Sequence, residues 1–202
     1  PSPPPLEYGV YYHIYNRGTN GENLFSMRRD YTMFLKHYTR YIEPVAETYA
    51  YSLLKNHFHL LVRIRTPEEQ RAFALRHLNW RPTKTLSPSR QFARLFGTYA
   101  QAFNEMYSRS GSLFEHPFHR IPVDTENYLQ HLVVYIHRNP QHHGFVDDFR
   151  EWTNSSYRAM ITNRSTRVAR EAVLGWFAGR ESFLEAHKAQ VDLDLIADLV
   201  IE

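Results

Sequence analysis

The elements legible in this chain predict an α+β fold of ferredoxin-like plan, an antiparallel sheet with helices on one face and a small helical C-terminal appendage. Three observations carry that prediction. Segments rich in aromatic and β-branched residues alternate with segments whose apolar residues recur at i, i+3, i+4 and i+7. Their order is strand, helix, strand, strand, helix, strand, helix. Hydrophobic residues make up 43% and aromatic residues 15% of the 202, enough to fill the core of one domain. The expected division is a flexible start over residues 1–7, a main domain over 8–160 and the appendage over 161–202.

The first strand is expected over residues 8–16, with Arg17 to Gly21 breaking it through two glycines. Tyr31, Phe34, Leu35 and Tyr38 then form the apolar stripe of a helix over 28–41. Pro44 closes that region. A second strand over 45–54 runs through a tight turn near Lys55 and Asn56 into a third. Residues 66–88 are polar and proline-rich, a long connection with a short helix near 68–78. Ser87 or Ser89 is placed to cap a helix over 90–107, whose stripe is Phe92, Leu95, Phe96, Tyr99 and Phe103. An extended stretch over 112–123 follows. Asp124 or Thr125 caps a helix over 126–139, which Pro140 is expected to close. Two short amphipathic helices are expected over 168–177 and 182–187.

Composition narrows the function. The chain has no cysteine, which removes disulfides and thiolate zinc sites together. No apolar run approaches the ~20 residues that span a bilayer, and residues 1–5 lack the apolar core of a signal peptide. A cytoplasmic location is expected. The net charge of +3 conceals a polarity. Residues 63–94 hold eight basic and two acidic side chains, a local charge of +6, while residues 181–202 hold six acids against Lys188, a local charge of −5. A basic stretch of this kind suits a polyanionic partner.

The chemistry is concentrated in the third strand. Alternation sends Phe58, Leu60, Val62 and Ile64 to one face and His57, His59, Leu61, Arg63 and Arg65 to the other. Histidines two apart on a strand lie roughly 7 Å apart, close enough for both rings to reach one divalent ion. Arg63 and Arg65 would hold a phosphate next to it. On the last helix, Tyr135 and Asn139 are four apart, displaced by only about 40° around the axis. A phenol nucleophile and an amide ligand would thus share a face, whereas His137 points about 160° away. Tyr135 alone would read as a core residue. Facing a metal-binding pair, it reads as the nucleophile of phosphodiester chemistry.

These residues fall within an ordered set of motifs. The set runs Tyr12-His13-Ile14-Tyr15-Asn16-Arg17-Gly18, Asn56-His57-Phe58-His59-Leu60-Leu61-Val62, Tyr99-Ala100-Gln101-Ala102-Phe103-Asn104 and Gly111-Ser112-Leu113-Phe114. It continues through Tyr135-Ile136-His137-Arg138-Asn139-Pro140, His143-Gly144-Phe145-Val146 and Ser155-Ser156-Tyr157. Over about residues 8–160 the chain resembles the REP-associated tyrosine transposase branch of the single-tyrosine HUH transposases. The resemblance implies an HUH endonuclease fold, Mg²⁺ or Mn²⁺ on His57 and His59, and Tyr135 as nucleophile. It also implies a hairpin-bearing single-stranded DNA substrate, a 5′-phosphotyrosine intermediate, a free 3′-OH and a monomer. Asn139 is expected as third ligand. Asn16, Arg17, Arg63, Arg65, Lys84, Arg90, Arg120 and Arg138 are expected to bind DNA.

Other readings compete. A non-catalytic nucleic-acid-binding module would share the basic open sheet and exposed aromatics such as Tyr49 and Tyr51. A domesticated transposase would bind its hairpin without cutting. A histidine-triad hydrolase needs a third histidine where Leu61 stands, and a two-histidine phosphoesterase needs two His-x-Ser/Thr strand pairs. The chain offers only His37-Tyr38-Thr39, on an expected helix.

Overall fold

The computed structural model describes residues 5–78 and 84–188. Most of the expected flexible start, part of the long connection and the acidic tail from 189 lie outside them. Four strands, β1 (Tyr11–Arg17), β2 (Ala46–Leu53), β3 (His57–Ile64) and β4 (His119–Val123), form one antiparallel sheet in the order β2-β3-β1-β4. With α1 (Arg28–Tyr41) between β1 and β2, and α2 (Pro67–Leu78) and α3 (Pro88–Met106) between β3 and β4, this is the expected ferredoxin-like plan.

Alternation assigns the two faces. Ile14, Phe58, Leu60 and Val62 pack against Phe34 of α1 and Phe92, Leu95 and Tyr99 of α3 to make the first core. Phe58 is fully buried, and truncating it to alanine would cost about 3–5 kcal/mol. Asp30 fixes the start of α1, its carboxylate accepting the backbone N–H groups of Ser26 and Met27 at 2.8 Å each. The helix expected from residue 90 starts at Pro88, whose missing N–H costs nothing in the first turn.

The other face is where the fold departs from expectation. The face expected to be open is crossed by α4 (Glu126–His142), which packs chiefly on β2 and β3. Leu61 and Ala50 of the sheet meet Leu132, Val133 and Ile136 of α4 in a second core. Thr125 caps α4, its hydroxyl accepting the Tyr128 N–H at 3.3 Å. Pro140 does not end it. A proline here removes only one backbone donor, and the turn still closes through His143 N–H to Asn139 O at 3.0 Å. Val173, Phe177 and Phe183, from α6 (Arg170–Trp176), its C-terminal flank and α7 (Arg180–Ala186), belong to the same core as α4. A short helix not expected from the sequence, α5 (Tyr157–Ile161), lies between them.

Two features position the histidine end of β3. The Gly18 N–H donates to Asn56 O at 2.8 Å, joining the end of β1 to the β2–β3 turn. A Cβ on Gly18 would sit 2.0 Å from Glu22 O, so only glycine fits this approach.

Candidate active site

Strand register brings the chemistry-bearing residues into rows. Arg17 lies opposite His57, and Tyr15 lies opposite both His59 on β3 and His119 on β4. All point to the face that α4 crosses. Tyr135 and Asn139, one helical turn apart, point back at them. Between sheet and helix is a cleft of about 260 Å³ whose lining includes Tyr15, Arg17, His57, His59, His119 and Tyr135.

His57 has an amide oxygen at each ring nitrogen, Asn56 Oδ1 2.8 Å from Nδ1 and Asn139 Oδ1 3.0 Å from Nε2. Burial pushes this imidazole down to about 4, opposed by the Asn139 contact and assisted by His143 and Arg17. A neutral imidazole has a single N–H, so one of the two oxygens must face a nitrogen lone pair. Asn139 is fully buried and its Nδ2 has no hydrogen-bond partner among the described residues. His59 is held well below the usual histidine range by burial, with His13, His57 and His143 adding to the effect. Its Nδ1 lies 2.9 Å from His13 Nε2. Tyr135 is 3% exposed, and the rings of His59 and His13 meet it edge-on at 5.5 and 6.5 Å. His57, His59 and Asn139 are the residues that could hold a divalent ion. Among the described residues no three His, Cys, Asp or Glu side chains are grouped to hold a metal ion, and the candidate third donor beside the two histidines is the Asn139 amide oxygen.

The structure separates the expected DNA-binding residues. Arg17 stands exposed at the mouth, its Nε 2.8 Å from Glu115. Asn16 is buried and used internally, donating to Glu115 O and accepting from the Arg17 N–H. Arg63 and Arg65 are not beside the histidines. At about 3.3 Å per residue, Arg63 is roughly 20 Å along the strand from His57. It is paired in two bonds with Glu69 at 2.9 and 3.1 Å. Arg65 donates to Glu43 O at 3.0 Å and lies over the Phe73 ring. Arg120 faces α3 and donates to Ser89 Oγ, while Arg138 donates to His187 O. Lys84 and Arg90 are exposed before and within the first turn of α3. Tyr49, expected to be exposed, is buried under Trp176 with ring centroids 5.1 Å apart, and Tyr51 is half-buried.

His137 points away from the cleft as helix geometry predicts. Its Nε2 accepts from Ser156 Oγ at 2.8 Å and its Nδ1 lies 2.9 Å from His187 Nε2. The residues the sequence reading passed over are His13, His119 and His143. His119 stacks on Tyr15 at 4.6 Å and His143 meets His57 edge-on at 4.7 Å. Alternation along β1 would have found His13, which is two residues before Tyr15 on the same face.

The fold and site together define an α+β protein whose antiparallel sheet opposes a His-x-His strand to a helix tyrosine. A Haemophilus influenzae protein named "Putative REP-associated tyrosine transposase" is 29% identical over 111 residues, 55% of this chain and 58% of that protein. The match therefore spans little more than half the length of that relative. Among solved structures, one described as a REP-associated tyrosine transposase bound to a REP hairpin superposes with a TM-score of 0.59. It covers 81% of this chain and 85% of that one at 15% identity, a likeness of fold. No protein-family model matches the chain. The resemblance to REP-associated tyrosine transposases thus rests on sequence over part of the chain and on fold over most of it.

Proposed function

We propose that this protein is a metal-dependent single-stranded DNA endonuclease and strand transferase that acts on hairpin-bearing DNA. The observation that carries this reading is the convergence of Tyr135 with His57 and His59 in one cleft between α4 and the sheet, with Asn139 buried behind it against His57. The Tyr135 hydroxyl oxygen attacks the scissile phosphorus, and the bond from phosphorus to the 3′ oxygen breaks. The products are a 5′-phosphotyrosine and a free 3′-OH. The bond energy stays in the covalent adduct, so a 3′-OH can reverse the step without a nucleotide cofactor.

The donor set fits Mg²⁺ or Mn²⁺. With the His57 proton on Nδ1, donated to Asn56 Oδ1, the Nε2 lone pair faces Asn139 Oδ1 at 3.0 Å, and two such atoms repel unless something positive lies near both. His57, His59 and Asn139 would hold such an ion, and the Asn139 amide, its Nδ2 unpartnered among the described residues, is oriented toward His57 rather than toward another protein acceptor. Such an ion would supply polarisation of the phosphate and an offset to developing charge. His57 and His59, kept neutral by burial, keep their lone pairs available, and Arg17 at the mouth offers a guanidinium to the incoming strand.

The test is a denaturing gel of the protein incubated with hairpin-bearing single-stranded DNA and Mn²⁺. The wild-type chain should carry DNA into the protein band. Tyr135→Phe should bind the same hairpin and form no adduct. An adduct in Tyr135→Phe would move the role elsewhere, and hairpin binding without cleavage by the wild-type chain would identify a non-catalytic hairpin-binding protein instead.

A further inference from the structure

His13 occupies the middle of β1, one of the two strands with neighbours on both sides, and none of its surface is exposed. Leu61 is its register partner, so its ring reaches diagonally to His59, with centroids 5.1 Å apart and planes 21° from parallel. The contact between them is a single hydrogen bond, His59 Nδ1 to His13 Nε2 at 2.9 Å. That bond holds one proton, and there are two ways to place it. If His13 donates from Nε2, His59 accepts at Nδ1 and carries its own proton on Nε2, where it cannot bind a cation. If His59 donates from Nδ1, its lone pair is on Nε2, the nitrogen left for a ligand.

We propose that His13 is a positioning residue that accepts the Nδ1 proton of His59 and so fixes the tautomer in which His59 can bind a metal ion. The inference rests on the metal-binding reading of His57, His59 and Asn139. Metal-bound histidines as a rule donate their second N–H to a fixed acceptor, usually a carboxylate or a carbonyl. Among the described residues no carboxylate is buried on this face near His59. The buried acceptor that the fold supplies is an imidazole, held in place by strand pairing on both sides of β1. The Tyr135 ring lies across both histidines, so a change in either ring is felt next to the nucleophile.

Nitrogen-15 NMR of the wild-type full chain reads the tautomer directly, without substitution or metal. His59 should carry its proton on Nδ1 and His13 should not carry one on Nε2. A proton on His59 Nε2 would overturn the proposal. The second measurement is Mn²⁺ binding, followed by loss of the free-ion electron-spin signal in the absence of DNA. His13→Leu should weaken binding about 10–100-fold. His13→Gln, whose amide oxygen can accept the same proton, should recover most of that loss, and neither change should alter hairpin affinity. If His59→Ala abolishes Mn²⁺ binding while His13→Leu binds like the wild type, the role of His13 fails alone. If wild type and His59→Ala bind Mn²⁺ equally, the metal reading fails and this inference with it.

Discussion

Replacing His187 by glutamine should flatten the acid sensitivity of the fold by about one proton. His187 is 2% exposed at the end of α7, donating from Nδ1 to Phe183 O at 2.7 Å. Its Nε2 therefore accepts from His137 Nδ1 at 2.9 Å, and His137 Nε2 accepts from Ser156 at 2.8 Å. Every member of this chain of bonds is neutral. Burial pushes His187 down to about 4, opposed by the Phe183 hydrogen bond and assisted by Arg138. An unfolded histidine takes its proton near 6.5. The folded value is the lower one, so as pH falls the unfolded chain is protonated first. His187's contribution is thus fully present above about 6.5 and is lost progressively as pH falls toward 4. Between pH 7.5 and 5.0 that amounts to about 2 kcal/mol from this one ring. His137 and His59, both held well below their usual range by burial, act in the same direction and steepen the wild-type profile. Urea unfolding of wild type and His187→Gln at several pH values isolates the His187 share. The variant keeps an acceptor for His137 but no titrating group, so it should be less stable at pH 7.5 and lose about 2 kcal/mol less by pH 5.0. A stability difference that does not change with pH would refute a buried, neutral His187.

Three further outcomes are expected. Asn139→Ala should raise the Mn²⁺ needed for half-maximal cleavage severalfold, whereas His137→Ala should leave it unchanged but lower the melting temperature, because Ser156 and His187 lose a buried partner. The reverse ranking in a Mn²⁺ titration would overturn the ligand assignment. Arg17→Ala should weaken single-strand binding more than Arg63→Ala does, since Arg17, though paired with Glu115, is the more exposed and lines the cleft, whereas Arg63 is paired with Glu69 away from it. Equal losses in a binding titration would contradict that distinction. If about five exposed basic residues meet phosphates, log affinity against log salt should fall with a slope of about −3.5, and a flat line would show that the charge is merely solvated.

The local patterns in this sequence are strong enough to be read. Period-two alternation in β3 and the helical stripe of α1 gave element, face and boundary almost to the residue. The i, i+4 relation of Tyr135 and Asn139 placed both on the face that meets His57. What could not be read was which strands lie beside which. Arg63 and Arg65 share a face with the histidines, but a shared face is not a shared neighbourhood. Nothing in the sequence marks Glu69 of α2 as the partner of Arg63 or the Glu43 carbonyl as that of Arg65. Covering of the histidine face by α4 was missed because Tyr11, Tyr49 and the histidine row are polar enough to pass for a solvated surface. Pro140 carries the signature of a terminator, but so near a helix end it removes only one donor and α4 runs on to His142.

The outer edge of β2 is occupied by segments far away in sequence. Leu53 N–H donates to Asn154 O at 2.9 Å, Tyr51 O accepts from Ser156 N–H at 2.9 Å, and Ala169 N–H reaches Thr48 O at 2.8 Å. The groups that finish this edge are translated roughly 100 residues after it. At about 5–20 residues per second, a nascent chain would wait on the order of 5–20 seconds with β2 ready to pair and its proper partners unmade. A strand in that condition recruits whatever backbone is nearby, including that of neighbouring chains on the same message. Shortening the chain before residue 154 would make that interval permanent, and insoluble product rather than a smaller soluble domain is the outcome this edge dictates.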